Sequence, residues 1–323
     1  VAAETLSRLA RIGISESTVW RLHGEVAEKI EKGLEKEEQE IPVYVSWQDL
    51  EAMEWVRPQR AIEEHASVSV DGLTILVRED GWREVKMVSV SEVAMQALPE
   101  TALETKTHEE KVRGHQEDIK LMNHSYRAIL GDKESFAPAL KGELARRRVR
   151  EVDKITMVND GADWIWDLGR RYLPSRCTEV LDWPHALQNL VKAGNAAFGE
   201  GSDEVQAWFA LRETELWQGQ RMKVDNALHD LPKRRKGRGQ AIKQVQGYID
   251  NHWHRLCYDK FRAENRPIGS GTVESGAKNV VGWRMKRGGQ SWSRPRAQRM
   301  LAALGEVHSG RWDRTVQRLA KAA

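Results

Sequence analysis

The chain has 323 residues, 40% of them hydrophobic and 31% charged, with a formal net charge of +3 and a pI near 8.8. That length holds two or three modest domains with a real core. No apolar run approaches the ~20 residues of a membrane span and no signal peptide is read, so a membrane partner is not expected. Two cysteines in so long a chain, Cys177 and Cys257, have no metal-type spacing and point to a reducing cytosol. The mild net charge selects no partner; only the clustering of basic residues can do that. The chain opens on Val1 rather than methionine, so a further N-terminal piece is expected.

Ala2 to Ile12 has apolar positions at helical spacing, Gly13 breaks it, and Ser15 caps a second helix beginning near Glu16. Helix, glycine turn and helix, with Ser17, Thr18 and Arg21 in the second helix's first turns, is the layout of a DNA-binding helix-turn-helix. The dense charge run from Glu28 to Glu40 reads as a solvated helix end or linker.

Then the period changes to two. Ala66 to Asp71 alternates as a strand and finishes on an acid followed by Gly72. Leu73 to Arg78 reads as a second strand, Glu79-Asp80-Gly81 as a turn, and Glu84 to Val90 as a third strand, giving an antiparallel meander. Residues 108 to 130 read as a polar helix. Lys154 to Asn159 is a fourth strand, again ending on acid and glycine, Asp160-Gly161, and a helix with Trp164, Ile165 and Leu168 follows. Asp163 and Asp167 beside those tryptophans are read as helix N-terminal charge compensation rather than catalytic acids. Thr178 to Leu181 is a short fifth strand ending in Asp182-Trp183-Pro184-His185.

From Ala186 to Phe261 the pattern is helical, with Trp208, Trp217 and Trp253 expected in its core and Lys233 to Arg238 as a basic loop, either touching phosphate or solvated. The last part is a broken helix pair punctuated by Gly282 and Gly288-Gly289, with Ser293 and Pro295 opening the final helix. Thirteen tryptophans against four phenylalanines is an unusual balance, and Trp82, Trp283 and Trp292 stand beside glycines and basic residues where a flat ring can pack or stack.

The stretch Arg266 to Lys278 holds a proline, three glycines and one carboxylate, Glu274. No acid follows from Ser275 to Gly305, while Lys278, Arg284, Lys286, Arg287, Arg294, Arg296 and Arg299 are basic. Alone, Glu274 reads as an ion-pair partner. With Asp71 and Asp160 at strand ends it becomes the third carboxylate of a site suited to two Mg²⁺ ions, hard cations that prefer oxygen ligands. Such a pair activates the attacking oxygen and stabilises the leaving one at a phosphodiester. The basic residues after Glu274 would hold the phosphate backbone in register.

The elements VDG, NDGAxWIW, LDWPHALQNL and RPIGSGTVESGAKNVVGWRMKRGGQSWS resemble bacterial insertion-sequence transposases of the ISKra group and the wider set of DDE transposases, over about Ser67 to Trp312. The resemblance implies an α/β fold: a ribonuclease-H-like mixed-sheet core, an all-α insertion and an N-terminal helix-turn-helix-like segment. Residues 1–60 would be that segment and a linker, 61–185 and 263–323 the two parts of the core, and 186–262 the insertion. Asp71, Asp160 and Glu274 match the catalytic, metal-holding triad, with Mg²⁺ or Mn²⁺ as the two ions. Asp182 and His185 match the acid-x-x-His motif of transposases with a helical insertion, and the 114 residues from Asp160 to Glu274 leave room for one. His185 is read as a local lock near the acids rather than a ligand or general base. Asn159 departs from the expected Gly-Asp-Gly but keeps the turn chemistry, and the front end is shorter than the family's.

The expected activity is Mg²⁺-dependent cleavage at the element's 3′ ends and joining to target DNA. The expected partner is double-stranded DNA, with the protein a homodimer or higher oligomer on it in the bacterial cytoplasm, associated with the nucleoid. Ser17, Thr18, Arg21, Arg266, Lys278, Arg284, Lys286, Arg287 and Trp292 are the candidate DNA contacts. The rival readings are a ribonuclease-H-like nuclease without strand transfer and a domesticated or inactive transposase that only binds DNA.

Overall fold

The computed structural model describes residues 15–42, 62–95, 119–231 and 238–321. One mixed sheet organises them, in the order β3-β2-β1-β4-β5. Strands β1 (His65–Val77), β2 (Gly81–Met95) and β3 (Ile119–Leu130) form an antiparallel meander, while β4 (Lys154–Asn159) and β5 (Thr178–Leu181) continue the sheet in parallel from β1. The chain is therefore α/β, and the fourth and fifth strands stand where the residue pattern put them.

Two readings of the first half are corrected. Asp71-Gly72 does not end a strand: Asp71 pairs with Met87 and Gly72 with Lys86, so β1 runs through to Val77. A two-residue alternation with one glycine does not reveal that the neighbouring strand continues past it. Residues 119–130 are a strand rather than the end of a polar helix, and 108–118 lie outside the described residues. The alternation there is broken by Asn123, at φ +50°, where the β2–β3 register shifts between Val90 and Glu92. A bulge of this kind removes the period-two signature.

Alternation places the two faces of the sheet in separate cores. Val68, Val70, Val88 and Val90 pack with helix α2 (Lys133–Arg146), with α3 (Asp163–Tyr172), and with the helices after β5: α4 (Trp183–Phe198), α5 (Asp203–Trp217), α6 (Arg221–His229), α7 (Arg238–His252) and α8 (Tyr258–Ala263). That helical block thus shares one hydrophobic cluster with the sheet, and Trp217 sits in it, with Trp208 and Trp253 packed against it. On the other face Ile75, Val77, Val85 and Met87 meet α9, which runs from Gly271–Gly276 through a π-helical stretch, Ala277–Gly282, to Trp283–Met285. Helix α10 (Arg294–His308) lies beside it, opening after Ser293 with Pro295 in its first turn as expected though without a side-chain cap from Ser293, and α11 (Trp312–Lys321) follows. Gly276 permits the close approach of α9: a Cβ there would lie 2.6 Å from the Tyr126 ring.

Helix α1 (Glu16–Glu40) starts at the Ser15 cap and buries Ala27, Ile30 and Leu34, with Ile30 and Leu34 against Ala302 of α10. The first helix expected before it, Ala2 to Ile12, lies outside the described residues, as does most of the Lys233–Arg238 loop. The charge run at its C-terminal end is not simply solvated. Glu37 and Glu38 are buried. Arg127 forks onto Glu38 at 2.7 and 3.0 Å, Arg146 reaches Glu37 at 3.2 Å, and Arg318 reaches Glu37 at 2.7 Å. Glu143 and Glu306 extend this network through Arg311, at 2.7 and 2.9 Å. Cys177 and Cys257 are free thiols.

Candidate active site at the strand ends

Parallel pairing of β1 with β4 stops at Val68 and Met157, three residues before Asp71 and Asp160 respectively. Asn159 then takes over from the ladder: its Oδ1 accepts from the Val70 backbone N–H at 2.6 Å. The departure from Gly-Asp-Gly therefore has a task, which is to pin β1 to β4 immediately before the two acids. Asp160 Oδ1 accepts from Ala162 N–H at 3.1 Å, and the Tyr248 hydroxyl of α7 donates to the Asp160 carbonyl, also at 3.1 Å. Gly161 sits between them at φ +101°, and a Cβ there would meet the Tyr248 hydroxyl at 2.7 Å. Only glycine satisfies both the turn and the close approach.

Next along the edge, Asp182 ends β5 and caps α4. It is fully buried, yet satisfied: Oδ2 accepts from His185 N–H at 3.1 Å and lies 2.7 Å from His185 Nδ1, while Oδ1 accepts from Ser270 N–H at 2.6 Å. Ser270 in turn donates its hydroxyl to Glu274 Oε1 at 2.8 Å. A continuous relay, His185–Asp182–Ser270–Glu274, thus fixes the α9 carboxylate relative to the end of β5. Asp182 and His185 stand close to the acids, with the Asp182–His185 bond locking the start of α4.

The electrostatics tie Asp71 to the same place. Burial pushes its carboxyl above the usual range, and the charges of Asp160 and Glu274 push the same way, against the Gly72 N–H and His185. The His185 imidazole is raised by its hydrogen bond to Asp182, and further by the charges of Asp182, Asp160 and Glu274, against burial. Among the described residues no Lys or Arg forms an ion pair with Asp71, Asp160 or Glu274. A carboxyl raised by two neighbouring carboxylates stands in an oxygen-rich setting that a divalent cation would relieve. The ligand-type atoms that lie within 4.8 Å of one another are those of Asp182, His185 and Glu274. Asp182 already accepts from three N–H groups or ring nitrogens, so its part is to hold the others rather than to bind first.

Asp71 and Glu274 open onto a pocket of about 450 Å³ shared with Lys278, Trp283 and Lys286. Of the other expected DNA contacts, Arg284 and Arg287 lie over tryptophan rings rather than on the acids of α1; it is Arg299 that pairs with Glu28, at 2.7 Å. Ser17 and Arg21 line a second groove, of about 590 Å³, between α1 and α10, where Arg21 pairs with Glu25 at 2.6 Å. Thr18 is engaged by the Ser15 cap, at 3.2 Å from its N–H.

Arg266, expected on a phosphate, instead has its guanidinium on Glu264 at 2.6 Å and on Ile155 O and Thr156 Oγ1, both at 3.1 Å. Trp292 is buried: its indole N–H donates to Met285 O at 3.1 Å, and its backbone bonds to Leu76 and Arg78. Ser270 and Tyr248 are the site residues that sequence reasoning passed over, and Asn159 it read only as keeping a turn, not as the bond to Val70. A serine four residues before Glu274 was the one signal available, since the partners of Asn159 and Tyr248 are 89 and 88 residues distant. No family model and no curated protein matches the chain.

Proposed function

We propose that the chain is a DDE-type DNA transposase that cleaves the ends of its element and joins them to target DNA. The observation that carries this reading is that Asp71 feels the charges of Asp160 and Glu274, 89 residues away and a further 114 on in sequence, while among the described residues no Lys or Arg forms an ion pair with any of the three. The resemblance of the four motifs to ISKra-group transposases supports it. So does the strand order β3-β2-β1-β4-β5, which is compatible with a ribonuclease-H-like core.

Asp71, Asp160 and Glu274 would hold two Mg²⁺ or Mn²⁺ ions, which supply activation of the attacking oxygen and stabilisation of the leaving one. The protein's own part is positional. Asn159 sets the spacing of the β1 and β4 acids, Asp182 and Ser270 orient Glu274, and His185 keeps a ring nitrogen on Asp182. Lys278 and Lys286, in the same pocket as Asp71 and Glu274, bring positive charge to the phosphates of a duplex. The partner of this reading is double-stranded DNA, with the protein acting as an oligomer on it.

The test is a cleavage and strand-joining assay on DNA carrying the element's ends, in Mg²⁺, Mn²⁺ and EDTA. Metal-dependent cleavage with joining is expected. Cleavage without joining would leave a nuclease, and metal-independent binding alone would leave a DNA-binding protein.

A further inference from the structure

Large apolar rings are normally buried, and a group of exposed ones marks a contact surface. Trp283 is 71% exposed, Trp82 60% and Trp20 54%. Each carries a cation supplied by a single four-residue stretch: Arg287 lies 5.3 Å from the Trp283 ring centre, Lys286 5.9 Å from Trp82 and Arg284 5.7 Å from Trp20. Cations over rings at these distances are attracted to them, and in water each pair both steadies its ring and keeps a positive charge beside it. Trp283 is held further by Arg287, whose Nε donates to the Trp283 carbonyl at 3.0 Å. Trp283 and Lys286 also line the pocket into which Asp71 and Glu274 open.

A flat ring next to carboxylates placed for phosphodiester chemistry needs a flat, uncharged partner attached to a phosphate. In continuous duplex the base faces are hidden by their neighbours, and a groove offers only edges. An unpaired base offers its face, and grooves that take single strands combine positive charge with stacking rings. We infer that Trp283 stacks on an unpaired base beside the phosphate that enters the pocket of Asp71 and Glu274, with Lys278 and Lys286 on the flanking phosphates. The substrate of the site is then a DNA end whose strands are splayed, not uninterrupted duplex. This rests on the transposase reading and adds to it the form of DNA that the site takes.

The experiment compares two labelled oligonucleotides of one sequence, one fully paired and one with unpaired bases at one end, binding to the full chain in EDTA by fluorescence anisotropy. The wild-type protein should bind the splayed end more tightly. Trp283→Ala should weaken that binding roughly 5- to 140-fold, the range of one base–indole stack, and leave the paired duplex nearly unchanged. Trp283→Phe should restore most of the loss. Stacking displaces no counterions, so the slope of log affinity against log salt should stay the same in Trp283→Ala. Equal weakening on both DNAs, a changed slope, or no preference of the wild type for the splayed end would overturn the inference. If Mg²⁺-dependent cleavage persists in that case, the transposase reading stands without it. No binding of the wild type to either DNA, in EDTA and in Mg²⁺ alike, would overturn both.

Discussion

Two groups of carboxylates in this protein meet opposite treatment. Behind the sheet, Glu37, Glu38, Glu143 and Glu306 are buried, and each touches at least one guanidinium, from Arg127, Arg146, Arg311 or Arg318. On the other side, Asp71 within β1, Asp160 after β4 and Glu274 on α9 have N–H groups, a hydroxyl and a histidine as neighbours, and the charges of Asp160 and Glu274 act on Asp71. The first arrangement joins α1, β3, α2, α10 and α11 into one unit. Removing one partner of a buried pair strands the other's charge, so such networks resist change even where they add little net stability. In the second arrangement Asp71 is set against like charges, while Asn159 and the Asp182–Ser270 relay hold the surrounding elements in place.

The largest effect should come from breaking the first group. Glu143 has no exposed side-chain surface, and burial pushes its carboxyl up, but Arg311 and Arg146 outweigh burial and hold it at about 2. Glu143→Gln should cost about 3–5 kcal/mol in denaturant unfolding. The folded carboxyl binds its proton more weakly than the unfolded one. The wild type's contribution from Glu143 is therefore full above about pH 4.5 and lost as pH falls through about 2. Acid unfolding in that window should flatten in the variant.

A smaller loss is expected at the strut between β5 and α9. Asp182→Asn keeps the shape but turns one acceptor into a donor facing Ser270 or His185. Cleavage should fall roughly 10- to 100-fold, the range of partners that orient ligands, with folding retained by circular dichroism. Cleavage kept in Ser270→Thr but lowered in Ser270→Ala would place the effect in the relay to Glu274.

The smallest effect has the opposite sign, and it sharpens the contrast most. Asp71 is raised by burial and by Asp160 and Glu274, so its ionised form costs the folded state at neutral pH. Asp71→Asn should raise the melting temperature of the metal-free protein. The gain should fade as pH falls below the carboxylate range, where wild-type Asp71 is protonated too. Adding Mg²⁺ should stabilise the wild type and not the variant.

Legibility in the sequence follows the range of the interaction. Strands β4 and β5, the helix after Asp160 and the Ser293–Pro295 start of α10 are set by local alternation, caps and proline, and were readable. The course of β1 past Asp71 depends on Met87 and Lys86 of another strand, and β3 depends on a bulge at Asn123, so neither was. Asp71 and Asp160 drew notice because each precedes a glycine after an alternating run, and Glu274 because it stands alone ahead of a basic field. Glu37 and Glu38 sit in a charge run that reads as solvent-facing; only the distant Arg127 and Arg146 make them interior. Arg266 and Trp292 sat in motif-like stretches, but Thr156, Ile155 and Met285 engage them within the fold.

The most direct measurement of the central claim is the rate of DNA cleavage in Mg²⁺ by the wild type and by Asp71→Asn, Asp160→Asn and Glu274→Gln. Cleavage should be present in the wild type and absent in EDTA. Each variant should lose more than the roughly hundredfold that orienting partners reach, with thermal unfolding unimpaired. Wild-type rates in any of the three, cleavage that survives EDTA, or loss of activity that tracks unfolding would contradict a cation site built from these acids.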